Sequence, residues 1–357
     1  MRSMVILVTG GMGFIGSAVV RHLLATTDAT VVNLDALTYA ASPASLGDWL
    51  RHPRHVHVQA DICDPGAVRA AFAQWRPARV MHLAAESHVD RSIDGPAPFI
   101  RTNVVGTQVL LEAAREHWTT LHTAGDTTGR AEFRFHHVST DEVFGALDHG
   151  DPPFDEHTRY DPRSPYSASK AASDHLVRAW QHTYGLPTFI SNTTNNYGPW
   201  QFPEKLIPLV TLNALEGMPL PVYGDGSNIR DWIHVQDHAE ALCLALFHGQ
   251  PGATYCLGPR QERSNLQVVR AICTTLDRLR PDPAGPRERL IGFVGDRPGH
   301  DFRYAMDPSG AERALGWRAK WDFEAGLEDT IRWYLANEAW WRPIRQRHYA
   351  GQRLGAA

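Results

Sequence analysis

Over the first half of the chain, short apolar runs alternate with helix-length amphipathic stretches. The run Met4–Thr9 is hydrophobic at successive positions, as in a strand covered on both faces. After a glycine turn, apolar residues at Phe14, Ile15, Val19, Val20, Leu23 and Leu24 take up helical spacing, which opens a strand–helix–strand unit. Strand-like runs recur at Val31–Leu34, Val56–Val58, Val80–Ala84 and Phe133–Val138, separated by helical stretches such as Val68–Trp75 and Asn103–His117. Strands alternating with helices predict an α/β fold with a doubly wound parallel sheet. Beyond about Tyr197 the rhythm breaks at Pro199, Pro203, Pro208, Pro219, Pro221, Gly224 and Gly226, and mixed short elements run on to Tyr334. We therefore expect one domain over 1–197, a smaller C-terminal α/β lobe over 198–341 with the chain crossing between the two, and a basic tail over 342–357. Trp118–Glu132 and Ile344–Ala357 carry little periodicity and are expected as a surface loop and a loosely ordered end.

Composition adds mainly exclusions. Of 357 residues, 43% are hydrophobic and 21% charged, enough apolar content for a sizeable core and too much for disorder. A formal net charge of −4 provides no broad attraction for nucleic acid or an anionic membrane, so neither is expected as a partner. The apolar runs are too short to span a bilayer, and no secretory n-region or cleavage site precedes the first strand, so a cytoplasmic protein is expected. Cys63, Cys243, Cys256 and Cys273 are scattered without metal-ligand spacing, so we expect buried reduced thiols and no metal.

Gly10-Gly11-Met12-Gly13-Phe14-Ile15-Gly16 lies between the first strand and first helix, where small residues and helix N–H groups receive a pyrophosphate. Asp35 follows Gly16 by nineteen residues at the end of the second strand, placed to accept ribose hydroxyls and to repel a 2′-phosphate. The cofactor expected is therefore NAD, on a Rossmann-type sheet. Asp61 and Ile62 after the third strand would flank the adenine, and Leu83, Ala84 and Ala85 after the fourth would let the cofactor pass.

Tyr166-Ser-Ala-Ser-Lys170 sets a phenol and an ammonium one turn apart on a helix begun by Pro165. A nearby cation favours phenolate, so Lys170 is expected to lower the ordinary tyrosine pKa of about 10 toward neutrality. Ser139 and Thr140 end the preceding strand, and Asp141-Glu142 follow at its carboxyl end, where α/β sheets collect reacting groups. Two neighbouring carboxyls in different environments supply an acid and a base.

These residues resemble the Ser/Thr–Tyr–Lys set of the extended short-chain dehydrogenase/reductases. Ser139-Thr-Asp-Glu-Val-Phe-Gly145, together with His82-Leu-Ala-Ala-Glu-Ser-His-Val-Asp-Arg-Ser92, is similar to the dTDP-glucose 4,6-dehydratase family. The similarity continues through Asn195–Leu206, Arg230-Asp-Trp and Asp296–Asp301, and covers the chain to about Trp341. It implies that Tyr166 takes the proton of the sugar 4-hydroxyl with help from Thr140 and Lys170, that Glu142 removes the C5 proton and that Asp141 protonates the departing 6-hydroxyl. It also implies Ala36, Leu37, Thr38, Ser87, Thr102 and Asn196 beside the cofactor. Around the substrate it implies Ser87, Asn192, Asn195, Lys205, Leu206, Pro221, Val222, Tyr223, Arg230, Asn265, Asp296, Arg297, His300 and Tyr304. Four departures stand out: Phe144 where relatives commonly carry Tyr, Thr193-Thr194 for Cys-Ser, Trp200 after the Gly-Pro turn, and a short Ala146–Glu156 stretch, expected to open the pocket mouth.

The competing readings are a nucleotide-sugar 4-epimerase, which needs no carboxylate pair, a nucleotide-uronate decarboxylase, a dehydratase acting on another nucleotide-hexose, and a non-catalytic NAD-sensing protein on the same fold. The family resemblance further implies a homodimer, paired through Asn103–His117 and Tyr166–Tyr184.

Overall fold

The computed structural model describes residues 4–347. Its strands run β1 (Val5–Thr9), β2 (Thr30–Asp35), β3 (His55–Gln59), β4 (Arg79–His82), β5 (Arg134–Thr140), β6 (Thr188–Thr193), β7 (Asn195–Tyr197), β8 (Leu220–Tyr223), β9 (Ile229–His234), β10 (Thr254–Leu257), β11 (Glu262–Ser264) and β12 (Ile291–Val294). Seven of them form one sheet in the order β10-β6-β5-β4-β1-β2-β3, parallel at every pairing. Ile6, Leu7, Val8, Val31, Val32, Val80 and Met81 are all fully buried, the burial that uniform hydrophobicity predicts.

One face of the sheet is covered by the helices Phe14–Thr26 and Val235–His248, with Val19, Val20, Leu23, Leu242 and Leu246 in a shared core. The other is covered by Pro65–Trp75, Thr107–Thr123 and Pro165–Tyr184, through Val68, Phe72, Leu110, Leu111 and Val177. The chain leaves the sheet after β6, forms β7, β8 and β9, and returns through Val235–His248 to β10. A separate apolar cluster holds the second lobe together: Ile207, Val210, Trp232, Val268, Ile272, Phe323 and Ile331, around the sheets β11-β9-β7 and β12-β8.

Three expectations are corrected. Trp118–Glu132 is not a loop: the helix Thr107–Thr123 runs through its first part and Thr127–Glu132 forms another short helix. Few of its residues are buried, so no apolar stripe marked it. Asp126 caps the second helix by accepting from the Gly129 N–H, and the Arg130 guanidinium sits 3.6 Å over the Trp118 ring. The start of the expected tail is also ordered, because Glu338–Arg347 is a helix anchored by the fully buried Trp341 and by an Arg345–Glu216 ion pair at 2.7 Å. The remainder of that tail, 348–357, lies outside the described residues. Finally, Cys63 is only half-buried, whereas Cys243, Cys256 and Cys273 are buried.

Candidate active site

The strand order reverses direction between β1 and β4, and a crevice opens there at the carboxyl ends of the strands. A cleft of about 370 Å³ occupies it. Its floor is the glycine turn. Gly10 has φ +74°, and a Cβ there would stand 2.8 Å from Ala84; a Cβ on Gly16 would stand 2.1 Å from the Gly10 carbonyl. Backbone thus packs on backbone, and the helix Phe14–Thr26 begins with no side chain capping its N–H groups. That end, lined by Gly13, Phe14 and Ile15, faces the cleft and fits an anionic pyrophosphate. Asp35, at the end of β2, accepts from the Met12 and Leu37 N–H groups at 2.9 and 2.8 Å and also lines the cleft. Ala36, Thr38, Asp61, Ile62, Leu83, Ala84, Ala85 and Thr102 complete this half. These residues fit NAD. Leu37 does not reach the cleft; it takes a left-handed φ of 54° with its N–H held by Asp35.

The other half of the cleft carries the chemistry. Ser87, Thr140, Asp141, Glu142, Tyr166, Lys170, Asn195, Asn196 and Lys205 all line it. Thr140 ends β5, its carbonyl accepts from Asn192 Nδ2 at 3.0 Å, and its hydroxyl lies 3.2 Å from Asp141 Oδ1. Asp141 and Glu142 start a tight turn, Asp141–Phe144, directly after the strand. The helix Pro165–Tyr184 carries Tyr166 and Lys170, and Ser164 caps it in a reciprocal box with Ser167.

Electrostatics separate the two carboxyls. Burial, and then the charge of Glu142, pushes Asp141 well above the ordinary carboxyl range. Burial raises Glu142 too, but Arg297, Lys205 and Arg230 oppose the rise. Asp141 is therefore pushed toward its neutral form harder than Glu142.

The expectation for the tyrosine is corrected. Burial and the nearby Glu142 push Tyr166 well above its ordinary value, and the Thr140 hydroxyl acts against the rise. Lys170 is itself lowered to about 8 by burial. Its Nζ donates to the Val138 carbonyl at 2.9 Å, beneath the strand end.

The remaining substrate residues do not line this cleft; most of them sit in or against the second lobe. Arg230 is buried with its charge toward Asp141 and Glu142, yet its N–H groups are taken by the Ile229, Phe302 and Asp301 carbonyls, and it lies 4.2 Å over the Tyr304 ring. Arg297 pairs with Asp90 at 2.7 Å and His300 with Asp296 at 2.6 Å. Val222 faces the second core, with Leu206 packed against it and Pro221 and Tyr223 flanking Val222 on β8. Asn265 opens the helix Asn265–Leu279. Asn192 is wholly buried beneath Thr140 and does not line the cleft.

Several cleft residues escaped the sequence reading. Glu204 accepts from Tyr39 Oη at 3.0 Å and from Arg91 Nε at 2.8 Å, tying the loop after β2 to the second lobe. His238 contacts Asn196 Oδ1 at 2.8 Å and Thr193 Oγ1 at 2.9 Å, fixing the Asn196 amide. Glu204 lies inside a motif already singled out; His238 stands more than forty residues from its partners and has no local signal. Glu86, Gln201 and Phe202 also line the cleft. Among the described residues, no group of His, Cys, Asp and Glu is arranged to hold a metal ion, and no helix is long and apolar enough to cross a membrane.

Sheet order, glycine turn and the Thr–Tyr–Lys set define a dinucleotide-binding enzyme of the extended short-chain dehydrogenase/reductase type. The chain belongs to the GDP-mannose 4,6 dehydratase family, whose model matches residues 7–330. It is 58% identical over 336 residues to a dTDP-glucose 4,6-dehydratase of Neisseria gonorrhoeae (93% of this chain, 96% of that one). It is 56% identical over 345 residues to dTDP-glucose 4,6-dehydratase 1 of Escherichia coli K12, covering 94% of each. Among solved structures it resembles the Streptomyces venezuelae dTDP-glucose 4,6-dehydratase with NAD bound, at TM-score 0.86 and 42% identity over 96% of this chain and all of that one. The Thermus thermophilus UDP-glucose 4-epimerase with NAD is similar in fold at TM-score 0.81, with 29% identity over 94% of this chain and all of that one.

Proposed function

We propose that this chain is a hydro-lyase that removes water from dTDP-glucose to give dTDP-4-keto-6-deoxyglucose in an NAD-dependent, redox-neutral reaction of deoxysugar biosynthesis. The observation that carries this reading is the Asp141–Glu142 pair at the end of β5, in one cleft with Tyr166 and Lys170 and with the two carboxyls in different electrostatic environments. An epimerase has no use for such a pair.

NAD, held against Gly13, Phe14, Ile15 and Asp35, would supply the hydride chemistry that oxidises C4 and later reduces C6. Tyr166, which lines the cleft beside Thr140, takes the 4-hydroxyl proton. The resulting 4-keto group acidifies C5, and Glu142 removes that proton. Asp141, kept protonated by burial, donates to the departing 6-hydroxyl. Lys205, Arg230 and Arg297 place positive charge on the side of Glu142 where the second lobe meets the cleft, in keeping with a diphosphate. The same reading divides the chain into a cofactor part, 1–197, and a sugar-nucleotide part, 198–341, with 235–257 returning to the first.

The test is incubation of purified protein, without added NAD, with dTDP-glucose in deuterated water. A 4-keto-6-deoxy product deuterated at C5 is expected; dTDP-galactose as the sole product would overturn the reading in favour of an epimerase.

The reading includes a cytoplasmic homodimer. Ile100, Val105 and Tyr184 are 48, 46 and 46% exposed at or beside the packed helices Thr107–Thr123 and Pro165–Tyr184, an apolar set that a second copy would cover. Sedimentation as a monomer at micromolar concentration would defeat the dimer.

A further inference from the structure

Tyr166, Lys170 and Asp174 follow one another at four-residue intervals on the helix Pro165–Tyr184 and so share one face. Tyr166 and Lys170 line the cleft; Asp174 lies beyond them, completely buried. A buried carboxylate is costly unless it is satisfied, and this one gathers several partners. Its Oδ2 accepts from Ser139 Oγ at 2.9 Å, Tyr160 Oη at 2.8 Å and Asn192 Nδ2 at 3.4 Å. Its Oδ1 lies 3.1 Å from Nε2 of His137, a wholly buried residue of β5. The same Nε2 atom is 3.4 Å from Lys170 Nζ. The imidazole is thus wedged between the helix carboxylate and the cleft ammonium.

Resting on the dehydratase reading, we infer that Asp174, acting together with the His137 ring, is the positioning residue that holds Lys170 charged and aimed beneath Tyr166. A proton on His137 Nε2 points at Asp174 Oδ1, which fixes the ring and leaves Lys170 to direct its own donor to the Val138 carbonyl. The groups facing Lys170 come from three elements: His82 from β4, His137 from β5, and Tyr166 and Asp174 from its own helix. Burial keeps both histidines neutral, His137 down to about 4. Burial also drives Lys170 toward its neutral form, and the charge that opposes this is Asp174. Burial pushes Asp174 up in turn, but the bonds and charges of His137, Lys170 and Tyr160 outweigh it and hold the carboxylate ionised.

Because Asp174 also ties Ser139 and Asn192 to the strand end, loss of activity alone would not separate positioning from scaffolding. The chain has just three lysines, Lys170, Lys205 and Lys320, so protein carrying 13Cε-lysine gives three resolvable titrations, with Lys170 assigned by its absence in Lys170→Arg. In resting wild-type protein the Lys170 signal is expected to titrate near pH 8. In Asp174→Asn the midpoint should fall by about one pH unit or more, and in Asp174→Glu it should recover. At pH 8 a one-unit fall reduces the charged fraction about fivefold. kcat should fall by about that factor with KM for the sugar nucleotide unchanged, and the alkaline limb of the pH profile should move down with the lysine. An unmoved Lys170 titration in Asp174→Asn overturns the inference. If that variant does not fold, the wild-type 15N spectrum decides: a His137 ring proton on Nε2 supports the arrangement, and one on Nδ1 overturns it. The lysine titration needs no substrate, so its outcome is independent of whether wild-type protein makes the 4-keto-6-deoxy sugar.

Discussion

The Asp35 carboxylate and the Met12 backbone N–H are joined at 2.9 Å, so the acid that ends β2 also clamps the glycine turn beside β1. With Leu37 held on its other oxygen, Asp35 shapes the site before any ribose arrives. Asp35→Ala should therefore fail twice. The purified protein should lose the nucleotide absorbance of retained NAD, and its unfolding free energy should fall by about 1–3 kcal/mol, because two backbone donors lose their acceptor. Absorbance ratios and denaturant titration read the two effects separately.

Glu142→Gln should still oxidise C4 while blocking chemistry at C5. Reduced cofactor should accumulate on mixing with dTDP-glucose, and deuterium uptake at C5 should drop by about 10²–10⁴-fold. Asp141→Asn should show the opposite division, keeping C5 exchange but slowing release of the 6-hydroxyl. Unchanged C5 exchange in Glu142→Gln would remove Glu142 as the base.

Glu204 bridges Tyr39 and Arg91, and the Arg91 guanidinium lies 4.3 Å over the Tyr39 ring, making a strap from the loop after β2 to Glu204 at the cleft wall. In Glu204→Ala both partners are released and the strap opens. We expect NAD to dissociate about tenfold faster, the equivalent of about 1.4 kcal/mol, which stopped-flow fluorescence would resolve.

Buried neutral histidines set the acid limit of stability. Burial lowers His82 and His136 well below 6.5, His88 to about 2, His238 to about 3, and His137, His234 and His300 to about 4. A folded-state pKa below the unfolded value means that the unfolded chain binds the extra protons, so stability is present above about 6.5 and is lost as pH falls toward 4. Asp231, raised to about 7 by burial, acts in the opposite sense, as do Glu86, Asp141, Glu142, Asp237 and Asp329, but these six carboxyls face the seven rings and three further histidines, His22, His55 and His117, that burial also lowers. Thermal unfolding should show Tm nearly level from pH 8 to 7 and falling steeply from 6.5 to 5; a flat acid profile would contradict the burial of these rings.

The local sequence was sufficient wherever one segment carries the whole cause. Uniform apolar runs mark β1, β2 and β4 because parallel strands are covered on both faces, and Gly10–Gly16 marks the cofactor turn because only glycine permits backbone to touch backbone there. Thr140, Asp141 and Glu142 were legible as the end of a strand, and Tyr166 and Lys170 as neighbours on a helix. What escaped depends on groups distant in the chain. The helices within Trp118–Glu132 hold through a cap and a ring contact rather than an apolar stripe, and so leave no periodic trace. Asp174 beneath Lys170, His238 beside Asn196, Glu204 across from Tyr39 and the burial that raises Tyr166 all follow from how strands and helices stack. The sequence by itself determined which reacting groups the chain carries and which strand or helix bears them. The tertiary structure decided their protonation and partners, because desolvation and charge act through space and have no period along the chain.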